Sequence, residues 1–212
     1  MRDPGEDCDP EAAVSGCPSN LVCGAAGTEN ACRCVPPSGE LVEICGNCID
    51  DDGNGLTDFE DPACCPDGAS AMDIRRLRIR PKGLASKLRI RSTLAKSGLV
   101  GVDPLSQDVF LQMRPPQGLD VLCAKVPAMK FMRMHGPFKF WDHAHATTSA
   151  KGIDDMTITV RGNGQVRFRT WGRRVQMSTP PRGRLQVTVG FRNPLVGDGA
   201  NRCSTGSAPP TR

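Results

Sequence analysis

Tyrosine is absent from this 212-residue chain, and aromatic residues make up only 4% of it. A core built on large aromatic plates is thereby excluded, and whatever core forms must be aliphatic. No stretch approaches the roughly 18 uninterrupted apolar residues that a membrane-spanning helix needs, so no helical transmembrane segment is expected. With 23 Gly, 18 Pro and 11 Cys, a coiled coil or helical bundle is excluded as well. No apolar run follows Met1 in MRDPGEDCDP. A signal peptide is therefore not visible, and the chain reads as a mature or excised piece, or as one whose start lies upstream. No GxSxG elbow or other nucleophile context is present, and the protein is expected not to be an enzyme.

What is present is unevenly divided. Residues 1–70 hold 15 acidic and two basic residues, and the remainder holds 8 acidic and 25 basic, under a net charge of only +4. Nine of the cysteines lie between Cys8 and Cys65, leaving only Cys123 and Cys203 beyond. Opposite charge and unequal Cys density predict two domains. These are a Cys-rich acidic region over 1–68 and a basic region over 71–205, followed by a flexible tail over 206–212. Turn-forming CPDGASA marks the boundary. So short a segment cannot bury enough apolar surface by itself, so its cysteines are expected to pair as disulfides in an oxidising compartment. That places the protein outside the cell or on its surface. The odd Cys count leaves either a free thiol or a partner in sequence not present. Zinc is the alternative, because Cys45 and Cys48 have half-knuckle spacing, but adjacent Cys64 and Cys65 make a poor second chelating pair.

The most informative stretch is IDDDGNGLTDFEDPACC, residues 49–65. Counted from Asp50, oxygen-bearing side chains fall at loop positions 1, 3, 5, 9 and 12: Asp50, Asp52, Asn54, Asp58 and Asp61. Gly55 sits at position 6, where the chain must turn, and Leu56 at position 7 offers its backbone carbonyl. Ca²⁺ takes six to eight oxygens at about 2.3–2.6 Å, and alternate side chains of a curled loop can converge to supply them. Without a cation, Asp50, Asp51, Asp52, Asp58 and Asp61 would repel one another, and a solvated acidic turn is the plainer reading.

CGNCIDDDGNGLTDFEDPAC is similar to the CGNGxDDDxDGxxDxxDPxC motif of secreted bacterial proteins described as metal-binding, and it also resembles a thrombospondin type 3 calcium repeat. The resemblance covers about 20 residues, Cys45 to Cys65. It departs from those patterns in having Asp61 rather than Glu at position 12, Cys48 in place of Gly, and a single copy. It implies that Cys45 pairs with Cys64 or Cys65 to clamp a loop with a structural role.

Beyond Ala71 apolar residues recur with period two. Leu77 and Ile79 alternate with arginines, as do Leu88 and Ile90, and Met156, Ile158 and Val160 alternate with polar residues. Val166 and Phe168 continue the pattern, and so do Leu185, Val187, Val189 and Phe191. Such alternation predicts half-buried antiparallel strands. Arg161-Gly162-Asn163-Gly164 predicts a hairpin turn, and less regular strands are expected over 109–113, 121–126, 130–134 and 138–141. The fold class is therefore mainly β, an antiparallel β-sandwich preceded by a small, irregular, disulfide-rich calcium-loop domain, with a closed barrel as the alternative. Cys123 and Cys203 are expected to pair with each other. This half also loosely resembles uncharacterised β-domains of secreted bacterial proteins.

Two features could carry chemistry. Outward Arg and Lys could hold an acidic polymer, shield edge strands, or face the acidic domain. Bases have few aromatics to stack on and no recognition motif is present, which argues against nucleic acid. In a strand, His143 and His145 would share a face and could chelate Zn²⁺ or Cu²⁺. The first functional reading is a Ca²⁺-stiffened cell-surface structural or adhesion module. The alternative is a binding module for polysaccharide or another acidic polymer, and another surface protein is a further possible partner.

Overall fold

The computed structural model describes residues 17, 21–23, 33–35, 41–82, 85–95, 99–178 and 183–211. The expected disulfide-knot residues Cys8 and Cys32 lie outside the described residues. Strands β1 (Val22–Cys23) and β2 (Cys34–Val35) form a two-residue antiparallel pair, and Cys34 of β2 is bonded to Cys17. The rest is β-structure: β3 (Ser70–Lys82), β4 (Ala85–Leu94), β5 (Asp108–Arg114), β6 (Leu122–Val126), β7 (Met132–Arg133), β8 (Phe138–Trp141), β9 (Asp155–Val160), β10 (Val166–Val175), β11 (Leu185–Arg192) and β12 (Arg202–Ala208).

These ten strands run in the order β6-β5-β11-β12-β3-β4-β10-β9-β8-β7. Neighbours are antiparallel except at β12 and β3, which pair in parallel through Ser204–Ser70 and Thr205–Ala71. The sheet curls there, so that β6-β5-β11-β12 form one layer and β3-β4-β10-β9-β8-β7 the other. Between the layers lies one aliphatic core, with Leu77, Ile79, Leu88, Ile90, Ile158 and Phe168 from one layer and Val109, Leu111, Met113, Val187 and Val189 from the other. The alternation read from the sequence is the inward set: in β4 every second residue from Ser86 to Ile90 is buried, with Lys87 and Arg89 exposed between. Between β9 and β10, Gly164 N–H donates to Arg161 O at 2.8 Å, closing the expected hairpin.

Three features differ from the sequence expectation. Residues 206–208 continue β12, and Thr211 donates to Leu77 O (2.8 Å) and accepts from Ile79 N–H (3.1 Å), so this end of the chain covers an edge of β3 instead of forming a flexible tail. Only Met132–Arg133 of the expected 130–134 strand pairs, because a 3-10 turn occupies Ala128–Lys130. Most consequential is β5, whose first six residues are all buried. Val109, Leu111 and Met113 face the core. Phe110 and Gln112 face outward and are covered by the acidic loop, so 41–68 is packed against the sandwich rather than strung before it.

Candidate functional site

The loop is fastened to the β6-β5-β11-β12 layer by apolar contact, hydrogen bonds and sulfur. A short 3-10 turn, Asp58–Glu60, presents Phe59, which packs on Phe110 with ring centroids 4.6 Å apart. Its other neighbour is Gly190 of β11, where a Cβ would overlap the Phe59 ring. Gln112 Oε1 accepts from Phe59 N–H (3.1 Å) while its Nε2 donates to Thr57 O (2.8 Å). Cys45 is bonded to Cys64 across the loop. The expected Cys123–Cys203 bond is not formed: Cys48 is bonded to Cys123, and Cys65 to Cys203. The physical reason is sheet order: β5 and β11 lie between β6 and β12, too far for Cys123 and Cys203 to bond, and the docked loop brings a cysteine to each. The same bonds remove 45, 48, 64 and 65 as zinc thiolates.

The loop carboxylates separate into groups. Asp58, with φ of 45° and no solvent exposure, points inward and accepts the backbone N–H groups of Gly46 (2.5 Å), Asn47 (3.1 Å) and Cys48 (2.9 Å). It is therefore a structural acceptor and leaves the expected ligand set; burial pushes its carboxyl up to about 6 against those bonds. Although Cys48, Asp58 and Cys123 lie together, the two sulfurs are bonded to each other and offer no thiolate.

Glu43, Asp50 and Asp52 each place a carboxylate oxygen within 4.8 Å of the others. Glu43 lies outside the twelve-residue window and was not singled out by the sequence. Only its proximity to Cys45, itself clamped to Cys64, could have drawn notice. It also accepts Asp51 N–H (2.9 Å) and Asp58 N–H (2.6 Å), and burial raises its carboxyl to about 7. Asp50 accepts Gly53 N–H (2.8 Å) and Gly55 N–H (2.9 Å). The Asn54 amide donates to both Asp52 (2.9 Å) and Asp61 (2.5 Å), so an N–H₂ group bridges two expected ligands. Leu56 follows on the same turn, with its N–H bonded to Asn54 Oδ1 (2.8 Å). Asp50 and Asp52 are thus brought together, with Glu43 added. Asn54 links Asp61 to Asp52, and Asp58 is elsewhere.

The histidines do not form a chelate. Strand β8 ends at Trp141, and Asp142 caps the turn that follows by accepting Ala146 N–H (2.9 Å) and Thr147 N–H (2.6 Å). His143 consequently swings onto Trp171, with ring centroids 5.8 Å apart, while His145 Nε2 lies 3.3 Å from buried Asp154. Asp154 also accepts Arg173 N–H (2.5 Å) and pairs with its guanidinium (3.2 Å). These bonds outweigh burial and hold the Asp154 carboxyl below its usual range.

The outer face of β3, β4 and β10 is the other site. Register sets Arg76 opposite Arg91 and Arg91 opposite Arg169, and in the next row Arg78 opposite Arg89 and Arg89 opposite Trp171. Like charges directly opposite across strands are unfavourable. Here Arg89 first, then Arg76 and Arg169, push the Arg91 guanidinium below its ordinary value. Among the described residues no carboxylate pairs with Arg76, Arg89, Arg91, Arg167 or Arg169. Two grooves open on this face, one of about 380 Å³ beside Arg89 and Trp171, the other of about 240 Å³ beside Arg91 and Arg167. No protein-family model, curated protein or solved structure matches this chain.

Proposed function

We propose that this protein is an exported, non-enzymatic binding module that holds an acidic polymer against the arginine face of its sandwich. The observation that carries this reading is the row Arg76, Arg91 and Arg169, crossing three adjacent strands and uncompensated among the described residues. Edge protection does not account for Arg91 and Arg169, because β4 lies between β3 and β10, and β10 between β4 and β9. Nor does the acidic loop neutralise it. The described part of that loop covers the opposite layer, where Arg114 meets Glu60 and Arg202 meets Asp67. A polyanion would relieve the repulsion and release its counterions on binding. Four disulfides among the described residues support an oxidising compartment.

Affinity chromatography of the oxidised chain on immobilised heparin tests this reading. Retention at low salt is expected to fall steeply as salt rises, and the Arg76→Gln, Arg91→Gln, Arg169→Gln triple variant is expected to elute much earlier. Equal elution of the variant, or no retention of the native chain, would overturn it. A second reading, that the loop takes Ca²⁺ and stiffens the module, is supported by the convergence of Glu43, Asp50 and Asp52. Its test is a calcium titration of the oxidised chain.

A further inference from the structure

Both tryptophans of the chain lie in one row of the arginine face. Trp171 of β10 is opposite Arg89 of β4 on one side and Asp155 of β9 on the other, and Asp155 is opposite Trp141 of β8. With Arg78 of β3 opposite Arg89, the row reads Arg78, Arg89, Trp171, Asp155, Trp141 across five neighbouring strands. Adjacent strands are about 4.8 Å apart, so the two tryptophans stand on backbone positions roughly 10 Å apart, on the scale of two linked sugar rings.

The two tryptophans and the aspartate each leave a surface open. Trp141 is 43% exposed, so its ring is open to solvent. Trp171 borders the 380 Å³ groove together with Arg89 and Leu88. It is held in place by Arg173, whose guanidinium lies 5.6 Å from the ring, and by His143. Arg173 is in turn fixed by Asp154. One oxygen of half-buried Asp155 accepts from Thr157 Oγ1 (3.3 Å), and the other has no donor among the described residues.

We propose that this row is a glycan track. An acidic polysaccharide crosses the strands, lays sugar rings on Trp171 and Trp141, donates a hydroxyl to Asp155, and sets its carboxylate or sulfate groups against Arg89. This rests on the reading of the face as a polyanion surface, and narrows it. A cationic row alone would serve any polyanion. An outward carboxylate between two indoles is what separates a glycan from a nucleic acid, because a phosphate chain offers Asp155 repulsion where a sugar offers a hydroxyl. The aromatic plates suit the apolar face of a sugar ring, with an N–H edge left for polar contact.

Because the chain's only two tryptophans are both in the track, its intrinsic tryptophan fluorescence reports on this site alone. Adding heparin (sulfate-bearing) or polygalacturonate (uronate only) to the oxidised chain at low salt is expected to change that fluorescence with saturation. The preferred polymer shows which anion is favoured, and either one supports the track. Trp141→Ala is expected to weaken binding of that polymer about tenfold, the scale of losing one aromatic stacking platform. Trp171→Phe, which keeps an apolar ring at this half-buried position, should weaken it less, with melting temperatures reporting that both variants fold. Long-chain polyphosphate and oligo(dT) carry the same charge without a glycan. If polyphosphate binds as tightly as the glycans and the tryptophan variants bind like the native chain, the track is overturned and the plain arginine surface stands. Tighter binding of oligo(dT) than of either glycan also overturns it, in favour of nucleic acid. Failure of every polyanion to bind overturns the arginine reading itself.

Discussion

Glu60 shows how a single carboxyl couples the docked loop to pH. Its side chain is fully enclosed beside Asp120, with Arg114 at 3.3 Å from Oε2. Glu60 Oε1 and Asp120 Oδ1 are both buried without a donor, and a proton on Glu60 supplies the missing bond between them. Burial first, then the charge of Asp120, raise the Glu60 carboxyl to about 8 against the pull of Arg114. A folded-state value above the unfolded one means that the proton is held more tightly in the folded chain. The associated stability is present below about 4.5 and is lost as pH rises through about 8. Glu60→Gln retains an amide donor toward Asp120 without a charge. It is therefore expected to raise the melting temperature by several degrees at pH 8.5 and to leave it nearly unchanged at pH 4.5. An unaltered pH profile in thermal melts would show that the pair does not share a proton. Little of this was visible in the sequence, where Glu60 is one more acid in a run and Asp120 a turn residue 60 positions later.

At the scale of the element, the loop solves its charge problem in an unexpected way. Its aspartates accept backbone N–H groups of the same loop, at Gly53 and Gly55 for Asp50 and at 46–48 for Asp58. The Asp/Gly spacing made the turn legible, and Asp50 with Asp52 converge as that spacing implied. It could not show that Asp58 turns inward or that Glu43 joins from outside, because both depend on how the 45–64 clamp folds the segment back. Calorimetric titration of the oxidised chain is expected to show one Ca²⁺ per molecule. Asp50→Ala with Asp52→Ala should abolish binding, and Glu43→Gln should weaken it at least about tenfold, the cost of losing a charged oxygen ligand. Bound at about 100 times its dissociation constant, the ion would add about 2.7 kcal/mol of stability. Absence of a binding isotherm would reduce the segment to a self-bonded acidic turn.

For the whole molecule, the division by charge and cysteine is real in sequence, yet residues 41–68 are packed on the sandwich and bonded to it. Two disulfides join the loop to distant strands, spanning 75 and 138 residues, and such long closures are worth about 2–5 kcal/mol each. Without the loop, Phe110 would be exposed and Gln112 would exchange both backbone partners for water, a net loss of about 0.5–1.5 kcal/mol per bond. These losses are comparable to the ~5–15 kcal/mol that holds a domain together. A chain beginning at residue 69 is therefore expected to lose cooperative unfolding, as followed by circular dichroism. A cooperative melt within a few degrees of the intact protein would show instead that the sandwich stands alone.

By itself the sequence determined what local chemistry can determine. Alternation along each strand, the Arg161–Gly164 turn, the sharp acidic loop and the oxidised state all follow from neighbours within a few residues. The run over 109–113 read only as a less regular strand, and its burial on both faces came from the docked loop. Only the tertiary structure decided which cysteines meet, which layer the acidic loop covers, and that Arg89, Trp171, Asp155 and Trp141 share one row. Those are pairings between residues tens of positions apart. They are set by sheet order and register, and a linear pattern of period two fixes which face a side chain takes but not its neighbour across the strands.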